Sequence, residues 1–254
     1  MSAIFAALPE PHVLLVLCGA VLLAAFLRGL TGFGFALAAV PLLSLVIAPA
    51  QAVTMAMLLQ LMVGLRDVVA LHTILDRPSL ARLSLGAVVG TPFGVALLVV
   101  LEPAVMRLAI AALVIVGLVF LLRAPKVASA DRLALAIPTG LVAGLFAGLA
   151  AMPGPPAVAY YLGTDRPAHV TRASLMVFFF VTSLIAVPLL AVNGEVDFAI
   201  AGASLIAFPV FLLGTALGTR LFARTSETGY RKLAIGVLGV MALAAGARGL
   251  AGLI

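Results

Sequence analysis

Residues 26–43 read FLRGLTGFGFALAAVPLL. The stretch lies inside a long apolar run, yet it holds Arg28, Thr31, Gly29, Gly32, Gly34 and Pro41. A helix that only has to sit in lipid gains nothing from that mixture. Closely spaced glycines loosen helical backbone, and proline removes a donor. Irregular backbone at membrane depth persists only where protein or a water-filled cavity satisfies it. The stretch therefore predicts a broken helix lining a cavity. Residues 144–162, GLFAGLAAMPGPPAVAYYL, have the same character in the other half of the chain.

Composition sets the class. Of 254 residues, 65% are hydrophobic and only 9% are charged, and the mean hydropathy is +1.31. Soluble domains are about half apolar, so a water-soluble fold of this length could not hide so much apolar surface. The chain reads as a multi-pass protein of the lipid bilayer. Its net charge of +6 is read as topology, because the basic residues are scattered over short loops without interleaved aromatics. No nucleic-acid partner is expected. The single Cys18 excludes an internal disulfide and any CxxC redox or zinc motif. His12, His72 and His169 fall near predicted helix ends and apart, so no cofactor or metal is expected. No Lys or Arg precedes Arg28. The apolar run from Val13 therefore lacks the basic flank of a signal peptide and is read as part of the fold.

Uncharged runs mark the spans, and a crossing needs about 20 residues. The loops at residues 71–82, 123–132, 165–172 and 220–232 hold most of the Lys and Arg. The positive-inside rule places them in the cytoplasm and both termini outside. Both loops flanking residues 133–163 are basic, so that segment must enter the membrane and return. As helix it measures roughly 45 Å, short of the roughly 60 Å that two crossings require. It is read as a hairpin turning part-way, near Pro153.

The expected fold is an all-α polytopic membrane protein of two inverted repeats. Each repeat is a broken, re-entrant helical hairpin plus three transmembrane helices. The first, residues 1–124, has a hairpin at 11–48 and helices at 51–72, 83–101 and 104–122. The second, residues 125–254, has a hairpin at 133–163 and helices at 172–192, 197–220 and 232–252. Three collinear matches support the repeat. Pro49-Ala50-Gln51 matches Pro167-Ala168-His169. Gly90-Thr91-Pro92-Phe93-Gly94 matches Gly214-Thr215-Ala216-Leu217-Gly218. Arg107-Leu108-Ala109-Ile110 matches Lys232-Leu233-Ala234-Ile235. Broken helices in corresponding places of two halves point to a transporter's binding site.

The run from Arg28 to Phe35, RGLTGFGF, followed by Val40-Pro41-Leu42-Leu43, resembles the sulfite exporter TauE/SafE family of membrane permeases. The likeness extends to the second copy at 144–162 and to the two-unit hydropathy, and covers essentially the whole chain. That resemblance implies transport, often export, of small sulfur-containing anions such as sulfite or organosulfonates across the bacterial inner membrane. In Met152-Pro153-Gly154-Pro155-Pro156 the second copy departs from the family's glycine-rich pattern.

The turn of a broken helix frees backbone N–H groups, and the positive end of a half-helix attracts anions. Half-helices starting near Phe33 and Ala157 are therefore candidates to hold an oxyanion. The substrate-binding candidates are Arg28, Gly29, Thr31, Gly32, Phe33 and Gly34 at the first break, and Met152, Pro153, Gly154 and Pro155 at the second. The competing reading is that these glycines only permit close helix packing. An intramembrane Arg is costly unless paired or facing a cavity. Arg28 is read as the partner of an anionic substrate, against the alternative of bonding to carbonyls at the break. Gln60, Arg66 and Asp67 are candidates for a gate or coupling site. For Arg66 and Asp67 the plainer alternative is a local surface ion pair. The functional expectation is a secondary transporter with an alternating-access site between the two hairpin tips. A passive anion channel stays open. An intramembrane enzyme would need a nucleophile–base pair or metal cluster, which the sequence does not offer at membrane depth. Oligomeric state is left open.

Overall fold

A computed structural model describes residues 9–122, 132–164 and 166–223. These residues form helices α1 (Pro11–Thr31), α2 (Phe35–Leu43), α3 (Pro49–Leu71), α4 (Arg77–Val100), α5 (Pro103–Leu122), α6 (Arg132–Ala150), α7 (Gly154–Leu162), α8 (Ala168–Val192) and α9 (Phe198–Phe222). The described fold is thus all-α. The helix expected over residues 232–252 lies outside the described residues.

Helices α1, α3, α4, α8, α9 and the Leu133–Ala150 part of α6 are long and apolar enough to cross a membrane. Helices α2 and α7 have nine residues each, about 13 Å of rise, too short to cross. The two broken segments therefore consist of a long arm and a short arm each, α1 with α2 and α6 with α7.

Proline opens several of these helices. Pro11, Pro49 and Pro103 stand first in α1, α3 and α5. The first-turn N–H groups have no intrahelical acceptor, so proline loses nothing there. Helix α9 instead uses Asp197, whose carboxylate accepts from the Ile200 N–H at 2.7 Å. Helices α4 and α8 start several residues before the apolar runs that mark them in the sequence. Arg77 and Arg82 lie exposed on the first turns of α4, so charge does not end the helix.

The long arms pack across the chain. Helix α6 packs most heavily on α4, and α1 on α9. Both contacts are backbone against backbone. A Cβ on Gly90 would lie 2.0 Å from the Leu141 carbonyl oxygen, and one on Gly140 would lie 2.0 Å from that of Leu83. In the other pair, a Cβ on Gly29 would lie 2.2 Å from the Thr215 oxygen, and one on Gly218 would lie 2.1 Å from the Phe26 oxygen. Contact partners ascend together along both helices of each pair, so both pairs are parallel. The runs 90–94 and 214–218 thus do the same job, each seating the long arm of a broken segment. Without a hydrophobic force between helices in lipid, such close van der Waals seams are what holds them together.

Candidate functional site

At the first break, α1 ends in a left-handed cap. Gly32 has φ 82° and its N–H donates to the Arg28 carbonyl at 2.7 Å. Gly34 has φ 90°. Glycine has no Cβ to oppose such angles. Thr31 pins the turn between them. Its hydroxyl lies 2.8 Å from the Leu27 carbonyl and 2.5 Å from that of Phe33, and accepts from the Phe33 N–H at 3.3 Å. Helix α2 then starts with no side-chain cap. The N–H groups of Phe35, Ala36 and Leu37 precede the first intrahelical bond, from Ala38 N–H to the Gly34 carbonyl at 3.1 Å, so they are free donors at the positive end of a helix.

The second break is built differently. Ala151 takes φ 57°, at about 1–2 kcal/mol for a residue with a Cβ. The Met152 N–H bonds back to Phe146 at 3.1 Å. Helix α7 then runs Gly154-Pro155-Pro156. Two of its first three positions have no N–H at all, so this end offers far fewer donors than the start of α2.

Both breaks face one cavity. It is a small, half-open pocket with a cavity volume of about 10 Å³, room for about one water, lined by residues 34–37, residues 151–154, Gln60 of α3 and Phe179 of α8. Gln60 is 3% exposed, and its Nε2 has no hydrogen-bond partner. Among the sequence candidates, Gly34, Met152, Pro153, Gly154 and Gln60 line this cavity. Gly29, Thr31, Gly32 and Phe33 are buried and build the break behind it. Pro155 is buried in the first turn of α7.

Arg28 does not line the cavity. Its Nη2 donates to Oδ2 of Asp67, a buried ion pair joining α1 to α3. The guanidinium carbon stands 5.5 Å from the centre of the Phe211 ring, and Phe211 meets Phe35 edge-on at 4.6 Å. Phe211 therefore touches both the ion pair and the start of α2. Asp67 is no local partner of Arg66. Consecutive residues on a helix point about 100° apart, and here Asp67 turns inward while Arg66 is exposed. Gln60 and Asp67 are two turns apart on α3, so the ion pair sits one layer from the cavity, toward the end of the bundle that carries Arg77, Arg82 and Arg166.

Two further polar sites do not emerge from the sequence. Arg172, placed in a basic loop by its charge, is buried in α8. Its Nη2 donates to the Gly29 carbonyl at 2.7 Å and to Thr219 Oγ1 at 2.9 Å, and its side chain packs on Gly32. From α8 it braces the first break. The second is a cluster around buried Asp76. Arg166 Nε donates to its Oδ2 at 3.0 Å, as does Ser79 Oγ at 2.9 Å. The Tyr160 hydroxyl donates in turn to Ser79 at 3.0 Å, tying α7 to α4. Charge spacing along the chain could not reveal these; only a view of which helices touch could.

Comparison with known proteins then gives a consistent answer. A family model described as "Sulfite exporter TauE/SafE" matches residues 17–245. The chain is similar to the "Probable sulfite/organosulfonate exporter TauE" of Cupriavidus necator, 33% identical over 101 residues, which is 39% of each chain. The match thus spans well under half the length of that relative. No solved structure matches.

Proposed function

Since the chain belongs to the sulfite exporter TauE/SafE family, we propose that it is a secondary transporter that exports small sulfur-containing anions such as sulfite or organosulfonates across the bacterial inner membrane. The observation that carries the reading is the shared cavity. Two helix breaks far apart in sequence, residues 34–37 and 151–154, converge on one space beside Gln60. In this reading the anion rests there, on the free N–H groups of Phe35, Ala36 and Leu37 and on the Gln60 amide. Dipole ends supply about half a charge, and hydrogen bonds to a charged acceptor are roughly twice as strong as neutral ones.

Arg28 serves this reading from a distance. Its charge is already met by Asp67, so the pair acts as a gate element on the path between the cavity and the basic end. The parallel packing of α1 on α9 and of α6 on α4, each pair drawn from opposite halves of the chain, supports an inverted-repeat architecture, and the positive-inside rule puts its basic loops in the cytoplasm. Alternating access would expose the cavity to one face at a time.

Purified protein in liposomes tests this. Uptake and efflux of sulfite, thiosulfate and methanesulfonate are followed with and without an imposed pH gradient. Saturable flux that the gradient can drive uphill is expected. Flux that only follows the anion's own gradient would mean a channel, and no flux of any of these anions would remove the reading.

A further inference from the structure

The donors around the cavity share one property: among the described residues, none that lines it carries a charge. The start of α2 gives backbone N–H groups. Gln60 gives an amide with an unsatisfied Nε2 on a side chain almost wholly withdrawn from solvent. A buried donor without an acceptor is costly, and this one faces the same space as the free N–H groups. The two observations are independent and point to the same guest, an acceptor-rich oxygen group. The start of α7 adds little, because Pro155 and Pro156 have no N–H. Arg28, a guanidinium outside the lining, is neutralised by Asp67.

A site with a fractional positive charge and neutral donors matches one negative charge, not two. Desolvating a second charge costs several kcal/mol, and nothing in the lining offsets it. Resting on the anion site proposed above, we propose that the cavity selects singly charged oxyanions, a hydrogensulfite or a sulfonate head, and that Gln60 is the side chain that reads the oxygens. Sulfite and sulfate dianions are rejected. Met152 and Phe179, which also line the space, present an apolar wall suited to the carbon end of a sulfonate.

The test is equilibrium binding to the full chain purified in detergent. Three probes are used: methanesulfonate, which stays a monoanion; sulfate, which stays a dianion; and sulfite, which passes from one to the other as pH rises through neutrality. Methanesulfonate affinity should be flat with pH and at least about tenfold tighter than sulfate. Sulfite affinity should fall as pH rises, tracking the hydrogensulfite fraction. Gln60→Met keeps the length and loses the N–H donors, and should weaken methanesulfonate about tenfold in protein that stays monodisperse. Sulfate binding as tightly as methanesulfonate, or sulfite affinity that holds or rises with pH, overturns the charge selection and leaves the anion site standing. Unchanged methanesulfonate affinity in Gln60→Met overturns the role of the amide. Failure of all three anions to bind at any pH overturns the site together with the selection.

Discussion

Arg28 of α1 and Asp67 of α3 neutralise one another inside the helix bundle, with the Arg28 side chain only 1% exposed. The guanidinium leaves Nε and Nη1 without partners, so its one strong attachment is the carboxylate. A lone buried charge is far more expensive than a buried pair. Asp67→Ala should therefore cost about 3–5 kcal/mol of stability. The double variant Arg28→Met with Asp67→Leu should recover most of that loss. Thermal unfolding of the purified variants reads both effects, and a fully stable Asp67→Ala would mean that the pair is not formed.

The second ion pair should behave differently, because its arginine can reach water. The Arg166 side chain is 39% exposed beside a buried Asp76. Asp76→Ala leaves Arg166 free to turn outward, so only the lost hydrogen bonds count, about 1–3 kcal/mol. The same unfolding series should rank Asp76→Ala milder than Asp67→Ala. The reverse order would contradict the burial difference between the two arginines.

Helix seams give a third expectation. Gly90→Val drives carbon into the Leu141 carbonyl, since even a Cβ there would sit 2.0 Å away. Overpacking of this kind costs about 1–3 kcal/mol or more. Gly19, in α1, has no neighbour within 4 Å of a built Cβ, and Gly19→Ala should be neutral or slightly stabilising. Comparable melting points for the two variants would argue against the α4–α6 seam.

The two breaks should also respond unequally to a single methyl group. Gly34 has φ 90°, which alanine adopts only under strain. At Gly154 a Cβ would meet Phe179 at 3.7 Å and Phe33 at 4.0 Å, ordinary contact distances. Gly34→Ala should lower transport sharply, whereas Gly154→Ala should keep most of it. Liposome flux normalised to inserted protein decides, and equal loss at both positions would sink the distinction.

Orientation is checked with single cysteines in a background with Cys18 replaced. Thr73 lies in the link between α3 and α4, and Asn193 follows α8, both exposed. Thr73→Cys should react with a membrane-impermeant thiol reagent only from the cytoplasmic face, and Asn193→Cys only from outside. Labelling of both from one face would reject the charge-based orientation.

The helical class and the two breaks were legible in sequence, because glycine, proline and polar residues are rare enough in a membrane span to be informative. The break at Gly32–Gly34 carried its own signal in backbone chemistry. The fate of Arg28 did not. Its partner lies 39 residues away, and nothing local to either residue fixes the contact between α1 and α3. Arg172 was misleading for the opposite reason. A charge next to a loop is ordinarily solvated, and only the close approach of α8 to the end of α1 buries it. The poverty of donors at α7 could be read from Pro155 and Pro156, but its weight depends on where the helix starts, and that is a matter of backbone geometry.

The glycine seams also bear on how such a bundle could move. Helices that meet through side chains can shear past one another by changing rotamers. Where a carbonyl on one helix fills the place of a missing Cβ on the other, there is no compliant layer to slip. Helix α1 with α9, and α4 with α6, are then double-width beams, each made from opposite halves of the chain. A swing of the first beam carries Gly29 and Thr219 together although they stand 190 positions apart. Any joint in such a motion would then fall outside the beams, and the left-handed turns at Gly32, Gly34 and Ala151, where the short arms α2 and α7 leave them, are the places left for it.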